Sequence, residues 1–225
     1  MKKISIFNAV LAISLIVADT IFIIDGELIT KTIASLLFVV LGFVNLIYLL
    51  KIKKQKSTSA YLLFLGLCFA CLGDIFLEIQ FILGAILFAI GHVFYFVSYC
   101  KIIKFKWKDL LFSALIFVPS LFVILFVPIF DFGGITLQIL CFVYALVISI
   151  MVGKATANFI KEKSILNLII LVGSVLFFFS DFMLLFSVFA NISSVFRVLC
   201  LATYYPAEFM LAYSILKHKK EIKNI

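Results

Sequence analysis

Long apolar runs interrupted by brief polar intervals dominate this chain. Eight stretches are predominantly apolar: Ile4–Ile24, Thr32–Leu50, Ala60–Ile79, Phe81–Cys100, Leu110–Val127, Ile135–Gly153, Ile165–Phe189 and Val195–Leu216. In a helix, about 20 such residues at roughly 1.5 Å each cross the hydrocarbon core of a bilayer. The pattern therefore predicts eight transmembrane helices. The breaks are Asp25-Gly26-Glu27, Lys51–Ser59, Ile79-Gln80, Lys101–Asp109, Pro128–Gly134, Lys154–Ser164 and Asn191–Ser194. None has room for a water-soluble domain. Residues 1–225 read as a single all-α polytopic membrane bundle.

Composition agrees, with 66% hydrophobic and 13% charged residues against roughly 45–50% and about 25% in soluble domains. The net charge of +8 would hint at nucleic acid in a soluble protein, but its distribution assigns it to topology instead. With the amino end inside, the lysines of 2–3, 51–56, 101–108, 154–163 and 217–223 all face the cytoplasm, leaving Lys31 and Arg197 on the far side. That is the positive-inside bias of a multi-pass cell-membrane protein with both ends cytoplasmic, and no nucleic-acid partner is implied. Lys2-Lys3 opens the first stretch as a signal peptide would. The run is too long for one and lacks a small-residue cleavage site, so a retained span is expected. Cys68-x-x-Cys71 lies within a predicted span and reads as packing, not as a redox pair. A weak internal echo links Gly73-Asp74-Ile75-Phe76-Leu77 to Ser180-Asp181-Phe182-Met183-Leu184, and Asp25-Gly26 to Asp131-Phe132-Gly133. Two four-helix halves, about 1–105 and 106–225, would account for both.

Charge inside the spans is the informative exception. An acidic or basic side chain at mid-bilayer costs about 2.5–3.5 kcal/mol on insertion scales, whereas each Leu, Ile or Phe returns only about 0.3–0.6. The intramembrane set is Asp19, Asp74, Glu78, His92, Asp181, Arg197 and Glu208, with Lys31 at the start of the second span. Asp19, Asp74 and Asp181 each lie about 15 residues from the lysine-rich ends of helices 1, 3 and 7, hence at similar depth. Helical spacing puts Asp74 with Glu78, His92 with Tyr95, and Arg197 with Tyr204 and Glu208 on shared faces. Such positions are functional candidates by default. Plainer roles compete. Arg197 and Lys31 can snorkel to headgroups, Glu78 and Asp19 lie near helix ends, Glu208 can pair within the core, and His92 can be a hydrogen-bonded core residue. Asp74 and Asp181 are the hardest to explain as structure alone. No metal-ligand spacing, nucleotide loop or nucleophile elbow occurs, so no metal or cofactor is expected.

Gly73-Asp74, Phe81-x-x-Gly84, Phe88, His92-x-x-Tyr95, Ser180-Asp181 and Thr203-Tyr204-Tyr205 together resemble the YhhN-like lysoplasmalogenase family, most closely over 61–99 and 169–213. Glu208 departs from it, since an amide is expected there. The resemblance implies hydrolysis of the vinyl ether of a lysoplasmalogen, an ether-linked lysophospholipid, to a fatty aldehyde and a glycerophospho-alcohol. A vinyl ether cleaves after protonation at carbon, so an acid and a nearby negative group are needed. Asp74 and Asp181 would divide these tasks, in an order the sequence leaves open. His92 and Tyr95 would orient groups or water, with Tyr204, Glu78 and Asp19 in support and Arg197 or Lys31 on the phosphate. Two rival readings use the same carboxylates. An intramembrane aspartyl protease would want a glycine at Cys71 and a leucine at Glu208. A proton-coupled transporter would want acidic groups reaching the inner face, and only Glu208 lies that way.

Overall fold

The computed structural model describes residues 2–190 and 192–218. Among these there are eight long helices and no strand: α1 (Lys2–Asp25), α2 (Leu28–Ile47), α3 (Thr58–Ile79), α4 (Phe81–Ile102), α5 (Leu110–Phe126), α6 (Ile135–Lys161), α7 (Ile165–Phe189) and α8 (Val195–Ser214). A π-helical turn, Tyr48–Ile52, extends α2, and 3₁₀ turns at Trp107–Asp109 and Ile215–Lys217 lead into α5 and continue α8. All eight are long and apolar enough to cross a membrane. Their outward faces carry bare Ile13, Leu115, Val118 and Phe122, which only a lipid solvent makes tolerable. Leu63, Phe38, Tyr95, Phe177 and Tyr205 fill the interior.

Local chemistry fixes the ends. Ser57 and Ser164 cap α3 and α7, accepting from the amides of Ala60 and Asn167, as N-cap hydroxyls do. The connections after α1 and α5 are built alike. Asp25 accepts from the Glu27 amide and Asp131 from the Gly133 amide, each at 2.9 Å, while Gly26 and Gly133 take φ of +68° and +61°. Those left-handed conformations suit glycine. One expected boundary moves. The sequence placed a break at Lys154, but α6 runs on to Lys161 because Lys154 needs no water. Its Nζ lies 2.8 Å from Asp109 Oδ2, and Lys161 binds the other oxygen at 2.5 Å.

Sequential helices other than α4 and α5 pack against one another, most extensively α3 on α4 and α7 on α8. The first four helices meet the last four mainly where α2 packs on α8 and α4 on α6. The α3–α4 pair is drawn close by glycines: a Cβ on Gly84 would lie 2.4 Å from the Leu77 amide nitrogen, and one on Gly66 would lie 2.3 Å from the Tyr95 ring. Small residues permit such contact in membranes, where packing rather than water expulsion joins helices. The α5 helix stands apart, with α6 as its one extensive helical neighbour among the described residues.

Candidate functional site

Near the lysine-poor end of the bundle, a cavity of about 160 Å³ opens between α1, α2, α3, α7 and α8. Asp74 and Asp181 both line it. The surroundings of the two carboxylates differ, and the difference follows from which helices reach them.

Asp74 is buried on α3 and gathers three partners. The Lys31 ammonium on α2 lies 3.1 Å from Oδ1. The Ser35 hydroxyl, one turn along α2, donates to Oδ2, as does the Tyr205 hydroxyl of α8 at 3.0 Å. Lys31 and Ser35 are i, i+4 on one face. Lys31 also binds Glu78 at 2.8 Å, and that carboxylate sits at the cavity mouth with its side chain 46% exposed. Snorkelling, the plainer role open to Lys31, gives way to a buried ion pair: the residue is only 5% exposed, because two carboxylates hold it where headgroups would otherwise draw it out.

Asp181, on α7, is held from the other side. The Tyr144 hydroxyl of α6 donates to Oδ2 at 2.6 Å. His92 Nε2 of α4 lies 2.9 Å from the Tyr144 oxygen and 3.4 Å from the same carboxylate oxygen. With the tyrosine proton committed to Asp181, Nε2–H is the donor to Tyr144, and His92 Nδ1, buried, has no hydrogen-bond partner among the described residues. Each aspartate is thereby gripped by the helix before its own and by a helix from the opposite half of the chain. Asp74 takes α2 and α8; Asp181 takes α6 and α4.

The remaining expected residues divide. Tyr204 lines the cavity, but its ring does the work: it stands edge-on to Phe88 and Phe177, and its hydroxyl finds no hydrogen-bond partner among the described residues. Tyr95 turns away from Asp181 and donates to Glu208 Oε2 at 2.8 Å, so Glu208, fully buried, belongs to a separate pair deeper in the bundle. Asp19 is buried on α1 and is not among the residues that line the cavity. Arg197 reaches the mouth, exposed, with its guanidinium 5.3 Å over the Phe22 ring in a cation–π contact. Tyr144 and Tyr205 were not among the expected site residues. The signal for the first was present, since Tyr144 is the only tyrosine between Tyr99 and Tyr204 and sits mid-helix among aliphatics. For the second, face spacing from Arg197 favoured Tyr204, while its neighbour, about 100° around the helix, carries the hydrogen bond.

A helical bundle of eight membrane-length segments with two aspartates on one cavity, Asp74 buried and Asp181 partly so, defines a polytopic membrane protein with a carboxylate pair among its helices. The YhhN family model matches residues 26–215. The chain belongs to the YhhN family. Comparison with curated proteins and with solved structures gives no match.

Proposed function

We propose that this protein is a membrane-embedded hydrolase that cleaves the vinyl ether of lysoplasmalogens, with Asp181 as the acid and Asp74 as the counter-charge. The observation that carries the reading is the inequality of two aspartates on one cavity. Asp74 is matched with the Lys31 ammonium, whereas Asp181 is held by a phenol and an imidazole, groups that can pass a proton. Family membership is compatible with a hydrolase of this kind.

The chemistry then runs as follows. The Asp181 carboxyl gives its proton to the ether's β-carbon, and the C=C electron pair forms the new C–H bond. The cation left on the α-carbon is shared with the ether oxygen and faces the Asp74 carboxylate across the cavity. Water adds to the α-carbon and returns a proton to Asp181, giving a hemiacetal. Breaking its bond to the glyceryl oxygen, with a proton transferred to that oxygen, releases aldehyde and glycerophospho-alcohol. His92 and Tyr144 hold Asp181 in place, and Arg197 stands at the mouth where a phosphate would lie.

The test is aldehyde release from a lysoplasmalogen by the purified protein in detergent, beside Asp74→Asn and Asp181→Asn. Activity in the parent and its loss in both folded variants is the expected result. A silent parent, or full activity in either variant, overturns the scheme. A transporter would instead need a gradient across a sealed vesicle to do anything measurable.

A further inference from the structure

Beside the charged cavity lies a second space of different character. It is a cleft of about 80 Å³ bounded by the outer halves of α4, α6 and α7 and by α5. Phe81, Ala85, Ile124, Ala145 and Phe178 make its walls. Along α7 the lining runs from Phe178 to Phe189, about 16 Å at the helical rise, roughly half of a bilayer's hydrocarbon thickness. The two spaces share Leu77, Phe88, Leu184 and one ionisable residue, Asp181. Asp181 therefore stands where an apolar cleft meets a cavity edged by Lys31, Glu78 and Arg197.

We propose that the cleft seats the hydrocarbon chain of a single-chain amphiphile with a phosphate-bearing head, so that the bond joining chain to head comes to rest at Asp181. The single chain and the phosphate head rest on the hydrolase reading above; the seat of the chain and its route of entry stand on the cleft itself. Three observations carry it. Apart from Ser120, Cys141, Tyr144 and Asp181 the cleft is lined by hydrocarbon, and among lipid components a chain matches it best. Its continuation beyond Asp181 carries at its mouth the Arg197 guanidinium, which suits a phosphate, while Lys31 within is taken up by Asp74 and Glu78. The cleft's outer wall is α5, which packs extensively on α6 alone, so a chain can slide in sideways from the membrane. The enclosed volume takes only the carbons nearest the head, and the remainder leaves past α5 into lipid. The site should read the first few carbons and be indifferent to total chain length. A second acyl chain would have to lie against Asp74 and Lys31, which excludes diacyl lipids by desolvation.

An ester-linked lysophosphatidylcholine bearing a diazirine on the chain close to the carbonyl tests this without any vinyl ether to cleave. Irradiation with the purified protein, followed by peptide mass spectrometry, should place adducts on α5, α6 and α7 around Ile124, Ala145 and Phe178. Probes of 12 and 18 carbons should label equally, and a diacyl probe at least tenfold less. Ala145→Trp, which fills the cleft from α6, and Ile124→Trp, which fills it from α5, should each cut that labelling at least tenfold while thermal unfolding confirms the fold. Should either variant fail to fold, the adduct map of the parent protein still decides. Adducts spread over the lipid-facing sides of α1 and α8, or equal labelling by the diacyl probe, overturn the proposal. Cleft labelling with no aldehyde from a lysoplasmalogen would uphold the chain seat and remove the hydrolase reading alone.

Discussion

Lys31 offers the sharpest quantitative test, because its two readings predict different numbers. As a cation snorkelling to headgroups it would contribute little to stability, and Lys31→Met would change the unfolding free energy by less than about 0.5 kcal/mol. As the counter-charge of Asp74 it should matter far more. Removing one partner of a buried ion pair costs about 3–5 kcal/mol, since the other charge is left without compensation. The lower end applies here. Ser35 and Tyr205 still donate to Asp74, and the 46% exposed Glu78 side chain can turn to water at little cost. Lys31→Met should therefore destabilise by about 3 kcal/mol. Neutralising the partner as well, in Lys31→Met/Asp74→Asn, should recover about 2 kcal/mol, because no bare charge then remains. Equilibrium unfolding in mixed micelles, followed by circular dichroism, measures all four species of the cycle. Additive effects of the two substitutions would refute the buried pair, and with it the assignment of Asp74 as the charged aspartate.

Other predictions are narrower. Tyr144→Phe removes the hydroxyl between His92 and Asp181 and should lower kcat about 10- to 100-fold, the worth of a hydrogen bond to the carboxylate that forms as Asp181 gives up its proton, with KM and thermal stability nearly unchanged in the aldehyde assay. Glu208→Gln preserves an acceptor for the Tyr95 hydroxyl and should keep activity within about threefold of the parent, equivalent to about 0.6 kcal/mol; a proton relay through Glu208 would fail outright. Gly84→Ala drives a Cβ against backbone 2.4 Å away and should cost about 3 kcal/mol. Gly133→Ala meets nothing within 4 Å and should cost only about 1–2 kcal/mol through its positive φ, both read from unfolding midpoints.

The bundle was legible because hydropathy reports solvent, and lipid imposes a length on every helix that crosses it. The same logic misplaced the end of α6. A lysine was read as a step into water, but Lys154 has Asp109 as a neighbour 45 residues earlier in sequence, and no local pattern records such a pair. Asp74 and Asp181 stood out because nothing in an apolar helix excuses a carboxylate. Of their partners, Lys31 and His92 stood out in the same way, whereas Ser35, Tyr144 and Tyr205 are ordinary residues made significant only by which helices adjoin. Spacing along one helix gives a face to within a turn, enough to put His92 beside Asp181, but not enough to choose Tyr205 over Tyr204.

The way each aspartate is gripped bears on how the chain enters the membrane. Lys31 and Asp74 lie on the second and third helices, so the most costly charge of the site has its counter-ion in lipid almost as soon as it arrives. Tyr205 joins only when the last helix is in place. Asp181 comes late, and by then His92 and Tyr144 are already in the bilayer to receive it. Insertion in chain order thus never leaves either carboxylate alone in hydrocarbon. A permuted chain that delivered α7 before α4 and α6 would present Asp181 to lipid unaccompanied, and its defect would appear in the yield of inserted protein, ahead of any effect on the finished molecule.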